Sequence, residues 1–545
     1  MDFLKGFVKE KKNFLIVACI VFIGFLLRIL GYNWGKTSTF QPDESLFLAG
    51  VFDLIEKPSY FIYDRWIYPT QVSTKLVGWA IIVFQKLTGI TLSTVKCYFV
   101  YRIYNCFIGA GTIIVAYFLG KKMMSDSRFG YLVALVVSIF PPYIRMAKQV
   151  TGDIPVLFFT MLSILASLYY LETKEKRYLI LMSVFGAFAT MEKWHGAVII
   201  CYIALCAIVL YKKNIKQILI EAVIAAPTFA LTMIAIAPNI LLNISDVIEQ
   251  MTYAKDYNGG GSIQPITDYI FGFLNYSGLF CLVFCIIGLV YLIKTRRLSY
   301  MPVVAGMINW IALWLLMNRT QERWAMGIYF FQVLLLASGN YASFKFIKSR
   351  EWDAEQIAKK KLLECISVVC CVLVFASYFS YACYITLNSC SSDQDVRIVG
   401  ESVLADLGGN LDNTISEMYT SYCPGCARDG GIATNLDIYS VGCDEEGPYV
   451  TVEGAKYICL SGRADDPYIN DLLDENATLV FEADINVGDL FWEEWGKGKW
   501  YLPEIYTLVK NFKEIGKLTS GGYIGAYDGL KIYDISSFRY VEDAE

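Results

Sequence analysis

The chain has 545 residues, of which 56% are hydrophobic and 18% charged, and its mean hydropathy is +0.44. Soluble domains carry about 25% charged residues, so this chain has too little polar surface for a water-soluble globule. Most of it is therefore expected to lie in lipid. The sequence contains one histidine, which excludes His-rich metal sites and catalysis by several histidines.

The net charge of −4 divides the chain into two unlike parts. Residues 391–545 contain 29 acidic and 11 basic side chains, a charge of −18, which leaves 22 acidic and 36 basic ones, a charge of +14, for residues 1–390. We expect a membrane module at 1–390 and an acidic extracytoplasmic domain at 391–545. A nucleic-acid partner is not expected, because it would need a basic stripe on a soluble face.

Apolar segments of about 20 residues recur through the membrane module, as bilayer-spanning helices require. Basic clusters follow alternate segments, and the positive-inside rule places these clusters and the N-terminus in the cytoplasm. The pattern predicts an all-α polytopic protein of about 11 transmembrane helices, with the C-terminal domain outside. The predicted spans are 14–29, 98–119, 129–146, 154–171, 178–192, 196–211, 218–238, 268–293, 300–317, 325–344 and 362–387.

One apolar segment does not fit this alternation. Residues 71–90 carry Lys75 and Lys86, and a full span here would move Lys121 and Lys122 to the outside. We therefore predict an amphipathic helix on the outer membrane surface, within a first external loop at 32–97.

The acidic tail has short strand-like runs at Tyr449–Val452, Tyr457–Leu460 and Leu479–Phe481, which predict an α+β domain. Its cysteines lack the second C-x-x-C of a zinc ribbon, so one or two disulfides are expected outside the membrane. These cysteines are Cys423, Cys426, Cys443 and Cys459.

Three acids are predicted at the external ends of spans. Asp43 and Glu44 open the first loop, and Asp153 precedes the fourth span. Acids beside a bilayer suit a general base, a metal site or a clamp for a substrate hydroxyl. The structural alternative is helix capping, with Asp43 capping a helix at Glu44–Glu56 and Asp153 capping the next span.

Five further polar side chains are predicted on the same face. Arginine and lysine there could hold a phosphate or pyrophosphate, whereas each one alone is also explained by snorkelling to the interface. The convergence of acids and cations on several external loops indicates an enzyme whose donor is a lipid-linked phosphate. The five side chains are Arg65, Arg102, Lys193, His195 and Arg323.

Several short motifs resemble those of the dolichyl-phosphate-mannose–protein mannosyltransferases and of their bacterial relatives, the aminoarabinose transferases. In chain order they are Arg28-Ile-Leu-Gly31, Gln41-Pro42-Asp43-Glu44, Gly152-Asp153-Ile154-Pro155 and Lys193-Trp194-His195-Gly196. The family more often has His at position 41 and Thr at position 192, where this chain has Gln41 and Glu192. The prolines that follow the family's late Arg-Tyr pair are also missing after Arg323.

The resemblance implies a GT-C fold and an inverting transfer from a polyprenyl-phosphate sugar. Asp43 would be the catalytic base, with Glu44 beside it, and Lys193, Arg102 and Arg65 would hold the phosphate. Asp153 and His195 would line the acceptor or sugar side.

No cofactor is required by this chemistry. A divalent metal, if one binds, would take Asp43, Glu44 and Asp153 as ligands. The expected partners are a polyprenyl-phosphate-linked sugar donor, membrane lipids, and a glycan, lipid or protein acceptor in a plasma membrane.

Two alternatives from other classes stay open. A transporter or flippase for lipid-linked sugars would place ionisable groups near the bilayer midplane, whereas here they cluster at one face. A non-enzymatic membrane scaffold would bind an external partner through the acidic tail.

Overall fold

The structure is a computed structural model of the chain. It describes residues 2–35, 44–59, 69–258, 278–295, 300–316, 322–350, 353, 356–410, 412–416, 434–435, 440–461, 466–484, 503–521 and 529–542.

Helices dominate the part of the chain before residue 391. They run in chain order as α1 Asp2–Ile29, α2 Glu44–Glu56, α3 Gln71–Thr88, α4 Thr94–Met124, α5 Ser127–Ile139, α6 Pro141–Ala147, α7 Asp153–Thr173, α8 Lys176–Glu192, α9 Ile199–Tyr211, α10 Ile215–Ile236, α11 Asn239–Leu242, α12 Ile244–Asn258, α13 Leu279–Thr295, α14 Met301–Leu316, α15 Met326–Ser349 and α16 Ile357–Cys390. Short 3-10 turns precede α9 at Trp194–Val198 and α15 at Glu322–Ala325.

In the part of the chain that the structure describes, each of the eleven predicted spans overlaps one helix or one bent pair. Within the described residues, seven helices are long and apolar enough to cross a membrane, and the bent pair α5 and α6 makes an eighth. Helices α13 and the first part of α14 are shorter apolar helices, and α8 has 17 residues. The start of the predicted span 268–293 lies outside the described residues. The prediction of a helical multi-pass membrane protein is confirmed.

The bend between α5 and α6 has a direct cause in the sequence. Pro141 and Pro142 carry no N–H, so the carbonyls four residues earlier, Val137 and Ser138, lose their helical partners. Arg28 of α1 replaces both, since its Nη2 donates to Val137 O at 2.9 Å and its Nη1 to Ser138 O at 2.8 Å. One buried guanidinium thus holds a break of 57° between the two helices.

Helix α3 occupies the segment predicted as a surface helix. One face is buried and includes Val77, Ile81 and Ile82, while Leu76 and Val83 on another face are more than half exposed. Gly89 closes the helix with a positive φ of 70°. The position of this helix on the membrane surface stays a prediction.

The tail is an α+β unit, as predicted. Its helices are α17 Val396–Asp406, α18 Pro467–Asn476 and α19 Pro503–Thr519, and its strands are β1 Thr414–Ser416, β2 Thr434–Asn435, β3 Val441–Asp444, β4 Gly447–Val450, β5 Tyr457–Ser461, β6 Thr478–Asp484, β7 Gly529–Asp534 and β8 Arg539–Tyr540. A five-stranded sheet has the order β2-β1-β5-β7-β6, and a three-stranded sheet has the order β3-β4-β8.

The runs 457–460 and 479–481 lie wholly on β5 and β6, and the run 449–452 overlaps β4 at Tyr449 and Val450. The predicted disulfides stay predictions, because Cys423 and Cys426 lie outside the described residues.

Candidate active site

A buried ion pair joins the start of α2 to α4. Arg102 donates from Nε to Glu44 Oε1 at 3.0 Å and from Nη2 to Oε2 at 2.6 Å, a two-point contact that matches the planar guanidinium to the carboxylate. Glu44 is fully buried and Arg102 is 2% exposed. A charge buried to this degree is stable only with such a partner.

The same guanidinium also holds the chain on the other side of the first loop. Its Nη1 donates to Trp34 O at 2.5 Å, and its Cζ lies 4.5 Å from the centroid of the Trp34 ring. Asp43 lies between Trp34 and Glu44, outside the described residues. Arg102 therefore contacts residues on both sides of the segment that contains Asp43.

The segment 148–153 packs against this pair. Val150 N donates to Glu44 Oε1 at 2.7 Å, and the amide of Asn105, one turn along α4 from Arg102, donates to Gln149 O at 2.6 Å and to Thr151 O at 2.9 Å. Lys148 at its start donates to Arg28 O at 3.1 Å, and burial lowers the pKa of Lys148 to about 8. Backbone groups of an irregular segment are thus satisfied by buried side chains, which holds the segment in one place.

A second buried ion pair links α7 to the turn after α8. Lys193 Nζ lies 2.6 Å from Asp153 Oδ1, and both side chains are almost completely buried. The same ammonium lies 5.6 Å from the centroid of the Phe47 ring on α2. Asp153 is the first residue of α7, where a negative charge complements the helix dipole. Among the described residues, no hydrogen-bond partner contacts its second oxygen, Oδ2, which leaves a buried acceptor open.

His195 follows Lys193 in the 3-10 turn Trp194–Val198 and is half-buried. It interacts electrostatically with both Lys193 and Asp153. The structure therefore brings these three predicted residues into one cluster, which the cation–π contact connects to α2.

Glu192 is a buried site residue whose role the sequence did not predict. Its Oε1 accepts the backbone N–H of Ser73 at 2.7 Å, its Oε2 accepts the Ser73 hydroxyl at 2.8 Å, and its carbonyl accepts Thr70 N at 3.1 Å. Thr70, the residue before α3, makes no side-chain capping bond. Glu192 thus caps the first turn of α3 from another helix. An acid at the end of an apolar span was the available signal in the sequence.

Three predicted residues lie apart from this cluster or outside the described residues. Asp43 and Arg65 fall in the segments 36–43 and 60–68, which the structure does not describe. Arg323 is half-buried in the turn Glu322–Ala325, which packs against α6. That contact places the turn beside the helix that leads into segment 148–153.

The two candidate site acids that the structure describes each form an ion pair. Glu44 is paired with Arg102 and Asp153 with Lys193, and the described part of the chain holds no group of three His, Cys, Asp or Glu side chains that could bind a metal. Asp43, the third acid expected as a metal ligand, lies outside the described residues, so a metal site that includes it stays a prediction.

Residues 71–248 match the family model "Dolichyl-phosphate-mannose-protein mannosyltransferase". The match covers about a third of the chain and includes Arg102, Asp153, Lys193 and His195, but not Asp43 or Glu44. The resemblance inferred from the motifs is confirmed, since these residues are similar to that family. No curated protein matches the sequence.

Three solved structures are similar to the chain at low identity. The Saccharomyces cerevisiae protein O-mannosyltransferase Pmt1-Pmt2 complex bound to the sugar donor has 17% identity, covers 43% of this chain and 34% of its own, and gives a TM-score of 0.35. ArnT from Cupriavidus metallidurans has 14% identity, covers 73% of this chain and 72% of its own, and gives a TM-score of 0.43. The Archaeoglobus fulgidus oligosaccharyltransferase has 12% identity, covers 87% of this chain and 72% of its own, and gives a TM-score of 0.46.

The chain spans about a third of the yeast chain. Because all three TM-scores are below 0.5, none of these similarities decides the fold or the function.

Proposed function

We propose that this chain is a glycosyltransferase that moves a sugar from a polyprenyl-phosphate donor to an acceptor hydroxyl on the extracytoplasmic face of a plasma membrane. The observation that carries the proposal is the pair of buried contacts Glu44–Arg102 and Asp153–Lys193. Glu44, Asp153 and Lys193 lie at helix ends and Arg102 lies inside α4. The chain's residues 71–248 match a mannosyltransferase family model. Ionisable groups at such a position in a membrane protein mark a functional site.

Asp43 is the proposed base of a single displacement with inversion. Its carboxylate takes the proton of the acceptor hydroxyl while that oxygen forms a bond to the anomeric carbon. The bond from the anomeric carbon to the phosphate oxygen breaks, and polyprenyl phosphate leaves with the electron pair. The phosphate is a good leaving group, so positioning and charge stabilisation supply most of the rate enhancement.

Glu44 and Arg102 take a positioning role in this proposal. The Arg102 guanidinium already contacts Glu44 and the backbone at Trp34, so its donors serve the loop that carries Asp43. A rigid support of this kind keeps a catalytic group near its productive geometry.

In this proposal Lys193 binds the donor phosphate, and Arg65 and Arg323 are further cations that contact it. Lys193 is held between Asp153 and the Phe47 ring, where a buried ammonium interacts with an anion more strongly than it would in water. The open Oδ2 of Asp153 and the ring of His195 would face hydroxyls of the sugar or the acceptor.

The substitution Asp43→Asn tests the proposal. We expect it to lower the release of sugar to water by at least about 100-fold, because a carboxamide cannot accept the proton of the attacking water. The assay uses full-length protein in lipid vesicles with a panel of undecaprenyl-phosphate sugars, hexoses and pentoses, and measures sugar released to water when no acceptor is added.

Asp53→Asn on helix α2 is the matched control and should retain wild-type release. Wild-type protein that releases no sugar from any donor in the panel would contradict the proposed function. Near-normal release by Asp43→Asn would contradict the assignment of the base alone.

A further inference from the structure

Helix α19 of the tail exposes an apolar stripe. Ile505, Val509 and Phe512 are 45%, 62% and 64% exposed, and their spacing of four and three residues puts them on one helical face. A water-soluble domain normally buries such a face.

The opposite face of α19 is buried and mostly polar. It comprises Glu504, Thr507 and Asn511 and, near the end of the helix, Leu518, each less than a tenth exposed. Asn511 Nδ2 donates to Ser380 Oγ of α16 at 2.9 Å. Polar side chains turned toward protein and apolar ones turned outward are the arrangement of a helix in lipid, and the reverse of one in water.

The helices beside α19 belong to the membrane module. Ser377 of α16 donates its hydroxyl to Glu504 O at 3.2 Å, and Glu504 Oε1 accepts the N–H of Phe280 in the first turn of α13. Helix α16 is an apolar span of 34 residues, and its Phe379, between the two serines that contact α19, is 47% exposed. The stripe therefore continues an outward apolar surface that already belongs to a spanning helix.

We propose that the C-terminal domain inserts α19 into the adjoining leaflet of the bilayer, with Ile505, Val509 and Phe512 among lipid acyl chains. Lys513 and Lys517, further along the helix, are positioned to reach the phosphate headgroups, as lysines at an interface do. The tail is thus a domain seated partly in the membrane, and the occupant of the stripe is lipid.

A photo-crosslinking experiment tests this proposal on the full-length protein in nanodiscs of phosphatidylethanolamine and phosphatidylglycerol. Benzoylphenylalanine replaces Val509 in one variant and Phe512 in a second. If one variant misfolds, the other still measures lipid contact. The control position is Tyr468, which is 56% exposed on α18, a helix that packs on strands of the tail. Mass spectrometry after irradiation measures the yield of lipid adducts.

We expect lipid adducts at positions 509 and 512 at roughly ten or more times the yield at position 468, because a probe on an inserted apolar face is surrounded by acyl chains and one in water is not. Equal yields at the three positions would overturn the proposal. So would crosslinks from 509 and 512 to a second protein chain in place of lipid.

Discussion

Buried cations in this protein lie where backbone or carboxylate groups need them. Arg28 satisfies the two carbonyls left open by Pro141 and Pro142, and Arg102 satisfies Glu44. A cation at membrane depth is costly, so each one is stable only because a specific set of acceptors surrounds it. The sequence showed Arg28 in a motif and Arg102 near the start of a predicted span, but it did not show which groups they contact.

The substitution Arg28→Leu should destabilise the module strongly. It leaves the carbonyls of Val137 and Ser138 buried without a donor, and each orphaned group costs about 1–3 kcal/mol. We expect a loss of about 2–5 kcal/mol in the free energy of unfolding, measured as a lower thermal midpoint of detergent-solubilised protein. Arg177→Leu removes an arginine that is mostly exposed and should change stability by less than about 1 kcal/mol. Equal losses in the two variants would show that Arg28 does not hold the bend.

At the scale of elements, the first turn of α3 depends on a residue 119 positions away. Glu192 accepts the N–H and the hydroxyl of Ser73, while the residue before α3 gives no side-chain cap. This contact ties the predicted surface helix to the turn that carries Lys193 and His195, so the orientation of α3 and the geometry of the site are coupled.

Replacing Glu192 by Ala should loosen the start of α3. Loss of a capping carboxylate costs about 0.5–2 kcal/mol, and we expect faster hydrogen exchange at the amides of residues 73–75, with α7 unchanged. Ser73→Ala keeps the backbone bond and should increase exchange less. Similar exchange in wild type and Glu192→Ala would mean that the cap does not stabilise the helix.

At the scale of the whole molecule, the tail and the membrane module are joined through a buried carboxylate. Glu504 of α19 is fully buried and accepts the N–H of Phe280 at the start of α13, where its charge complements the helix dipole. Burial raises the pKa of Glu504. A tail docked in this way stabilises the module as well as covering it.

The substitution Glu504→Ala should therefore destabilise the membrane module, although it lies in the tail. We expect a loss of about 1–3 kcal/mol, because Phe280 N–H and the N-terminus of α13 lose their acceptor. The loss is measured as a lower thermal midpoint, followed by hydrogen exchange at the amides of α13. Glu514→Ala, on the same helix and paired with a half-exposed lysine, should have less than half that effect. An unchanged midpoint in Glu504→Ala would contradict the proposed contact.

The sequence by itself determined the helical membrane module, the segments that form its eleven predicted spans, the α+β tail and the resemblance to mannosyltransferases. These properties depend on local hydropathy, periodicity and short motifs, each of which involves residues that are close together in the sequence. The sequence placed Asp153, Lys193 and His195 on one face, and the structure brings them together at the ends of packed helices. Their roles in a site stay predictions.

Only the tertiary structure decided how charges are paired within that cluster. Arg102 was predicted to hold a phosphate, but it contacts Glu44 and the backbone at Trp34, and Glu192 caps α3. The sequence also did not reveal that α19 turns its polar face to the protein. The contacts Arg102–Glu44 and Ser73–Glu192 join residues 58 and 119 positions apart in the chain. They form because helix packing brings these side chains within hydrogen-bond distance, and the hydropathy of consecutive residues carries no information about that packing.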